Sequence, residues 1–264
     1  MIEDQTLTSR PRRIRRGAYL LPSLFTMGNM VSGFYAIILG LDHNFERAIL
    51  FIVLAAFLDS IDGRIARLTG TESEFGKEYD SLADVITFGA APGMLAFLWG
   101  LRDFSPDAWL LSAFFMVCTA TRLARFNVQT RVVDSRWFVG LPSPWAALTI
   151  CALLSFALRT TGDTRVIMQA IMGVALLVVG SLMVSTFRYN SFKNFDLLKR
   201  WSYRAFVPIA ALLLLFLFIP RVAILVLALL YTLSGPATSA ISRLRPRRGP
   251  RSESSPPPLE GAPP

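Results

Sequence analysis

Asp59, Asp62, Asp80 and Asp84 sit in stretches that are otherwise strongly apolar. An ionised carboxylate at membrane depth is costly unless it is paired or holds a cation, so acids placed there point to chemistry. Asp59 and Asp62 are three residues apart and Asp80 and Asp84 four apart, so each pair shares one helix face. Two neighbouring helices would then gather four carboxylates around one point. Like charges do not coexist at that range without cations. The donors are all hard oxygens with no cysteine or histidine nearby, which selects magnesium or manganese over zinc. Two divalent ions balance four carboxylates, the charge count of a two-metal site. Acids are scarce elsewhere: 7 of the 18 fall between Asp59 and Asp84.

The residues between the acids fit a bulky ligand. Gly63 and Ala66 lie on the face of Asp59 and Asp62, Gly76 lies one turn before Asp80, and small side chains let helices and ligand approach closely. Arg67 falls two turns beyond Asp59 on the same face, where a guanidinium can grip a phosphate with two parallel hydrogen bonds. A single aspartate would read as a helix cap or a salt-bridge partner. Four in this phase, with glycine and arginine beside them, read as a diphosphate site whose substrate keeps its lipid end in the bilayer.

The elements that must hold these residues follow from the apolar pattern. The chain has 264 residues, 53% hydrophobic and 17% charged, with a mean hydropathy of +0.48. Its apolar residues form blocks near 20 long, the length that spans a bilayer as a helix, which excludes a soluble globule and a disordered chain. Eight segments are expected: 19–41, 48–68, 79–99, 107–126, 138–158, 166–187, 205–219 and 222–233. The expected fold is an all-α integral membrane protein, a polytopic helical bundle of about eight transmembrane helices. A basic segment (1–17) precedes a six-helix catalytic core (18–203). A C-terminal transmembrane hairpin (204–242) turns at Pro220-Arg221, and a disordered Arg/Pro-rich tail (243–264) follows.

Charge supports that layout. Of the 27 lysines and arginines, 22 fall in the tails and alternate links on one side and five, Arg47, Arg102, Arg159, Arg165 and Arg221, on the other. This is the positive-inside pattern for cytoplasmic N- and C-termini. The net charge of +9 therefore reads as contact with anionic lipid, not nucleic acid. No cleavable signal peptide is expected. The two cysteines, Cys118 and Cys151, lie in apolar blocks and read as packing residues, and the single histidine, His43, falls in an external link.

Read together, Asp59-x2-Asp62-Gly63-x2-Ala66-Arg67-x8-Gly76-x3-Asp80-x3-Asp84 resembles the signature of the CDP-alcohol phosphatidyltransferase family, with eight fixed residues across 26 positions. The resemblance implies that Asp59, Asp62 and Asp80 ligate the metals, and that Asp84 completes the site and acts as general base on the incoming alcohol. It places Gly63, Ala66, Arg67, Ser73, Gly76 and Thr26 on the CDP-diacylglycerol, with Arg67 on its diphosphate. Ser23 stands where family members often carry asparagine. A homodimer in a bacterial-type inner membrane, with the active site facing the cytoplasm, is implied by the same likeness.

The acceptor alcohol is read from softer motifs. Asp80-Ser-Leu-Ala-Asp-Val-Ile-Thr-Phe-Gly-Ala-Ala-Pro92, Arg122-Leu-Ala-Arg125-Phe-Asn127, Gly140-Leu-Pro142, the opening Leu21 to Asn29 and the late Arg188-Tyr-Asn-Ser-Phe-Lys193 are similar to the serine-accepting branch of the family in bacteria. The likeness covers about residues 18–200. It implies metal-dependent transfer of a phosphatidyl group from CDP-diacylglycerol to L-serine, releasing CMP. A serine carboxylate needs a cation among the acids, and Arg122 and Arg125, three residues apart, with Asn127, are the candidates; their other reading is charge anchoring at the membrane face. Thr87 and Phe88 are expected to wall the acceptor pocket, where the run to Pro92 is expected to break the third helix. Other readings are a sibling transferase using glycerol 3-phosphate or an inositol phosphate, whose acceptors need a denser basic pocket, and a cation transporter, which needs no glycine and arginine in this phase.

Overall fold

The structure is a computed structural model that describes residues 20–69, 73–129, 137–190 and 220–244. Seven helices account for nearly all of it: α1 (Leu20–Leu41), α2 (Phe45–Thr69), α3 (Glu74–Phe104), α4 (Trp109–Gln129), α5 (Ser143–Ala157), α6 (Asp163–Val184) and α7 (Pro220–Leu244). Among the described residues, five of these are long and apolar enough to cross a membrane: α1, α3, α4, α6 and α7. Helix α5 is apolar but shorter, and the second half of α2 carries Asp59, Asp62, Arg64 and Arg67. The expected segment 205–219 lies outside the described residues, as do most of both tails.

Helix starts and stops match the chemistry of their ends. Ser73 caps α3, its Oγ accepting the Gly76 N–H at 2.9 Å. The α1–α2 turn passes through His43, whose positive φ of 58° closes it in three residues. The sixth helix ends at Val184, before the expected 187, and the chain then pairs as β2 (Arg188–Asn190) with β1 (Trp137–Val139). This two-stranded antiparallel ribbon, with Phe138 opposite Tyr189, was not legible as strand, and it moves the start of the fifth helix from the expected 138 to Ser143. Gly140 links ribbon to helix at φ +83°, with its N–H bonded to the Phe187 carbonyl at 2.8 Å. A Cβ there would strike the Met183 carbonyl oxygen, so only glycine fits.

The expected break at Thr87–Pro92 does not occur. Helix α3 is continuous and widens to a π-helix over Val85–Ala90, and again over Phe97–Leu101. Proline has no N–H to donate and its ring crowds the preceding turn; the widened turn accommodates Pro92 without ending the helix. Likewise α7 runs unbroken from Pro220 through Pro236 to Leu244, past the end expected for the last segment.

Packing centres on α3. Its middle lies against α1, α4 and α5, while α1 and α2 form the most extensive helix pair. The core between the helices is filled by Ile52, Phe88, Leu95, Phe115, Leu141, Ile150, Leu154, Met172 and Leu176, all wholly buried. Helix α7 docks on α5 through a Thr149–Thr232 hydroxyl pair at 3.0 Å and the Trp145 and Tyr231 rings, 4.6 Å apart. Helix α1 comes close against the π-helix: a Cβ on Gly33 would lie 2.7 Å from the Thr87 Cα. Gly33→Val is expected to lower stability by at least about 1–3 kcal/mol through overpacking, read as a lower melting temperature of the detergent-purified protein; an unchanged melting temperature would show that α1 can move away freely.

Candidate functional site

Helix α3 begins at Glu74, five residues after α2 ends at Thr69. Asp59 lies ten residues before the end of α2 and Asp84 ten residues after the start of α3. At 1.5 Å per residue each is about 15 Å from the link, so the two acids reach a common depth. Both helices are backed by α1. Across them, carboxylate oxygens of Asp59, Asp80 and Asp84 come within 4.8 Å of one another. Asp84 is buried, 7% exposed, and Asp59 and Asp80 are partly buried.

That donor set fits a divalent cation. Three carboxylates converge on one point with hard oxygen ligands, and among the described residues no cysteine or histidine belongs to the cluster. Asp62, Ala66 and Arg67 lie on α2, with side chains outside the described residues. Gly63 is on the same helix, partly buried.

Asp84 is held from α1. Asn29 is wholly buried, and its Nδ2 donates to Asp84 Oδ1 at 3.3 Å. Thr87 Oγ1 donates to the Asn29 backbone carbonyl at 3.1 Å, which ties the π-helix to the same turn of α1. Thr26, one turn earlier, is buried on that helix. The sequence reading had Asn29 only as part of a motif. The signal was available: a lone amide in an apolar helix wants a buried partner.

The arginines divide by role. Arg122 is 9% exposed and lies within electrostatic range of Asp84 and Asp59. Its Nη1 donates to the buried Ser143 Oγ at 2.7 Å, and its guanidinium lies 5.9 Å from the centre of the Phe126 ring. A buried guanidinium within electrostatic range of the acids is a candidate partner for an anion brought near them. Ser143, at the start of α5, was missed in the sequence. Arg125, three residues on, instead donates to the Val184 carbonyl at 3.0 Å and the Ser185 carbonyl at 3.5 Å, closing the end of α6. Asn127 Nδ2 donates to Ser81 Oγ at 2.9 Å and Glu78 Oε2 at 3.3 Å, tying α4 to α3. Phe88 belongs to the hydrophobic core, Thr87 holds α1, and the Ser73 hydroxyl caps α3 beside Gly76.

Comparison with known proteins gives the same direction. The family model described as CDP-alcohol phosphatidyltransferase matches residues 19–180. The chain is 36% identical over 220 residues to the CDP-diacylglycerol–serine O-phosphatidyltransferase of Helicobacter pylori, covering 82% of this chain and 90% of that protein. It is 32% identical over 182 residues to the enzyme of the same name from Bacillus subtilis, covering 69% of this chain and 98% of that protein. It is 37% identical over 191 residues to the archaetidylserine synthase of Methanothermobacter thermautotrophicus, covering 72% of this chain and 74% of that protein.

Two substitutions separate the cluster from the scaffold. Asp59→Asn should weaken Mn2+ binding, followed by electron paramagnetic resonance of the purified protein, by about tenfold or more, because one charged ligand is lost. Arg125→Ala should leave Mn2+ binding intact and lower stability by about 1 kcal/mol through loss of the bonds that close α6; a loss of Mn2+ binding with unchanged stability would place Arg125 in the cluster instead.

Proposed function

Because the chain belongs to the CDP-alcohol phosphatidyltransferase family, we propose that it moves a phosphatidyl group from CDP-diacylglycerol to L-serine, giving phosphatidylserine and CMP. The observation that carries this reading is the convergence of carboxylate oxygens of Asp59, Asp80 and Asp84 within 4.8 Å of one another, in electrostatic range of a buried Arg122. The names of the Helicobacter and Bacillus relatives support serine as the acceptor.

In this reading Asp59, Asp62, Asp80 and Asp84 hold Mg2+ or Mn2+, two ions by charge count. Bound metal would neutralise the diphosphate and the charge that develops during phosphoryl transfer. Arg67 grips the diphosphate, while Gly63, Ala66 and Gly76 leave room for the nucleotide-linked headgroup, with Thr26 and Ser73 at its edges. Arg122, held by Ser143, receives the serine carboxylate. Asp84 takes the proton from the serine hydroxyl, a poor nucleophile at neutral pH without a base. The serine oxygen then bonds to the phosphorus carrying the lipid, the bond from that phosphorus to the bridging oxygen breaks, and CMP leaves.

The 22-to-5 distribution of basic residues supports eight spans with both termini and the site on the cytoplasmic side of a bacterial inner membrane. The homodimeric state rests on the family likeness alone.

Purified protein should incorporate radiolabelled serine, and not glycerol 3-phosphate, with CMP release that stops on chelation of divalent metal. Arg122→Gln should raise the KM for serine by about tenfold or more, the loss expected of a charge-assisted bond to an anion, with little change for CDP-diacylglycerol. Faster turnover of glycerol 3-phosphate than of serine would overturn the acceptor assignment. Asp84→Asn should fold normally yet lose most turnover; near-wild-type activity would remove Asp84 from the base role.

A further inference from the structure

The side chain of Asn29 is wholly buried, and only one of its two polar atoms is bonded among the described residues. Its Nδ2 donates to Asp84, while its Oδ1 has no hydrogen-bond partner among the described residues. A buried carbonyl oxygen left without a donor costs stability, and an apolar side chain of the same skeleton would remove that cost. Packing alone therefore gives no reason for an amide here. What the amide supplies is a donor aimed at one oxygen of Asp84, from a helix that cannot easily shift. The Asn29 backbone carbonyl accepts from Thr87 three residues beyond Asp84, and Gly33, one turn further along α1, presses on the same threonine. Asp84 is the last residue before the π-helix begins, so the wide turn and the amide together decide which way its carboxylate faces.

We infer that Asn29 is a positioning residue: it fixes one oxygen of Asp84 from behind, so that the other stays turned toward Asp59 and Asp80. The assignment deepens the phosphatidyltransferase reading and rests on it for its activity arm only. Asn29 touches neither substrate nor reacting atoms in this scheme; it acts through Asp84.

The test uses the full chain in detergent or nanodiscs. Asn29→Leu keeps the branched skeleton and removes both polar atoms. It should bind Mn2+ about tenfold more weakly in the absence of substrate and lose about 10- to 100-fold in kcat, as supporting groups behind metal ligands do. The KM for CDP-diacylglycerol should stay within about twofold, because no substrate contact is removed. Asn29→Asp, the same shape without the donor, should lose kcat to a similar degree. A lower melting temperature combined with wild-type Mn2+ affinity and kcat would mark Asn29 as structural and overturn the assignment. Wild-type Mn2+ affinity, or wild-type kcat in either variant, would overturn it as well. If wild-type protein turned over no serine, the acceptor reading would fail, while the Mn2+ and melting measurements would still decide the role of Asn29.

Discussion

Mutual repulsion among buried carboxylates is the constraint around which this molecule is arranged. Oxygens of Asp59, Asp80 and Asp84 lie within 4.8 Å of one another on helices in an apolar layer. At that distance two ionised groups repel by about 3–4 kcal/mol even at an effective dielectric constant of 20. Three such pairs approach the whole stability of a typical domain, about 5–15 kcal/mol. Ionised together, the three acids need compensating positive charge; otherwise the cluster must hold protons. Arg122 supplies one unit from α4, and bound divalent cations would supply the rest. A cation that bound the assembled acids would stabilise the assembled form.

The scaffold answers the constraint with a third helix. Helices α2 and α3 carry the acids, but the extensive contact of the region is between α1 and α2, and α1 also lies along α3. The acids can thus face one another across a gap without their own helices being pressed together. Two local devices adjust α3 to this task. The π-helix over Val85–Ala90 follows Asp84 directly and accommodates Pro92, and Gly33 lets α1 come against Thr87. A single-turn widening of this kind rotates the side chains that follow it relative to those before. It lets Asp84 face the acids while Phe88 and Leu95 remain in the core.

Several polar residues near the site serve the frame. Arg125 closes α6, Asn127 ties α4 to α3, and Ser73 begins α3. Arg122 and Arg125 are three residues apart and chemically identical, yet one is buried beside Ser143 and the other binds carbonyls at a helix end. Helix α7, beyond the matched family region, joins the frame by setting its Thr232 and Tyr231 against Thr149 and Trp145 of α5, the helix that also carries Ser143.

The one-dimensional pattern sufficed for whatever depends on spacing along a single helix. Asp80 and Asp84 share a face by the 3.6-residue period, as Asp59 and Asp62 are expected to, and the cost of acid in an apolar segment pointed to them as a candidate site. Hydropathy likewise located α1, α4 and α6 to within a few residues. What it could not supply were contacts between elements far apart in the chain. Asn29 and Asp84 are 55 residues apart, Arg122 and Ser143 21, and Trp137 and Asn190 pair as strand only because two helix ends meet. No local preference encodes such partners, since each is chosen by packing. The same holds for the π-helix: proline and glycine announced an irregularity after Asp84, but only the neighbours pressing on α3 decided that the helix would widen and continue, not stop.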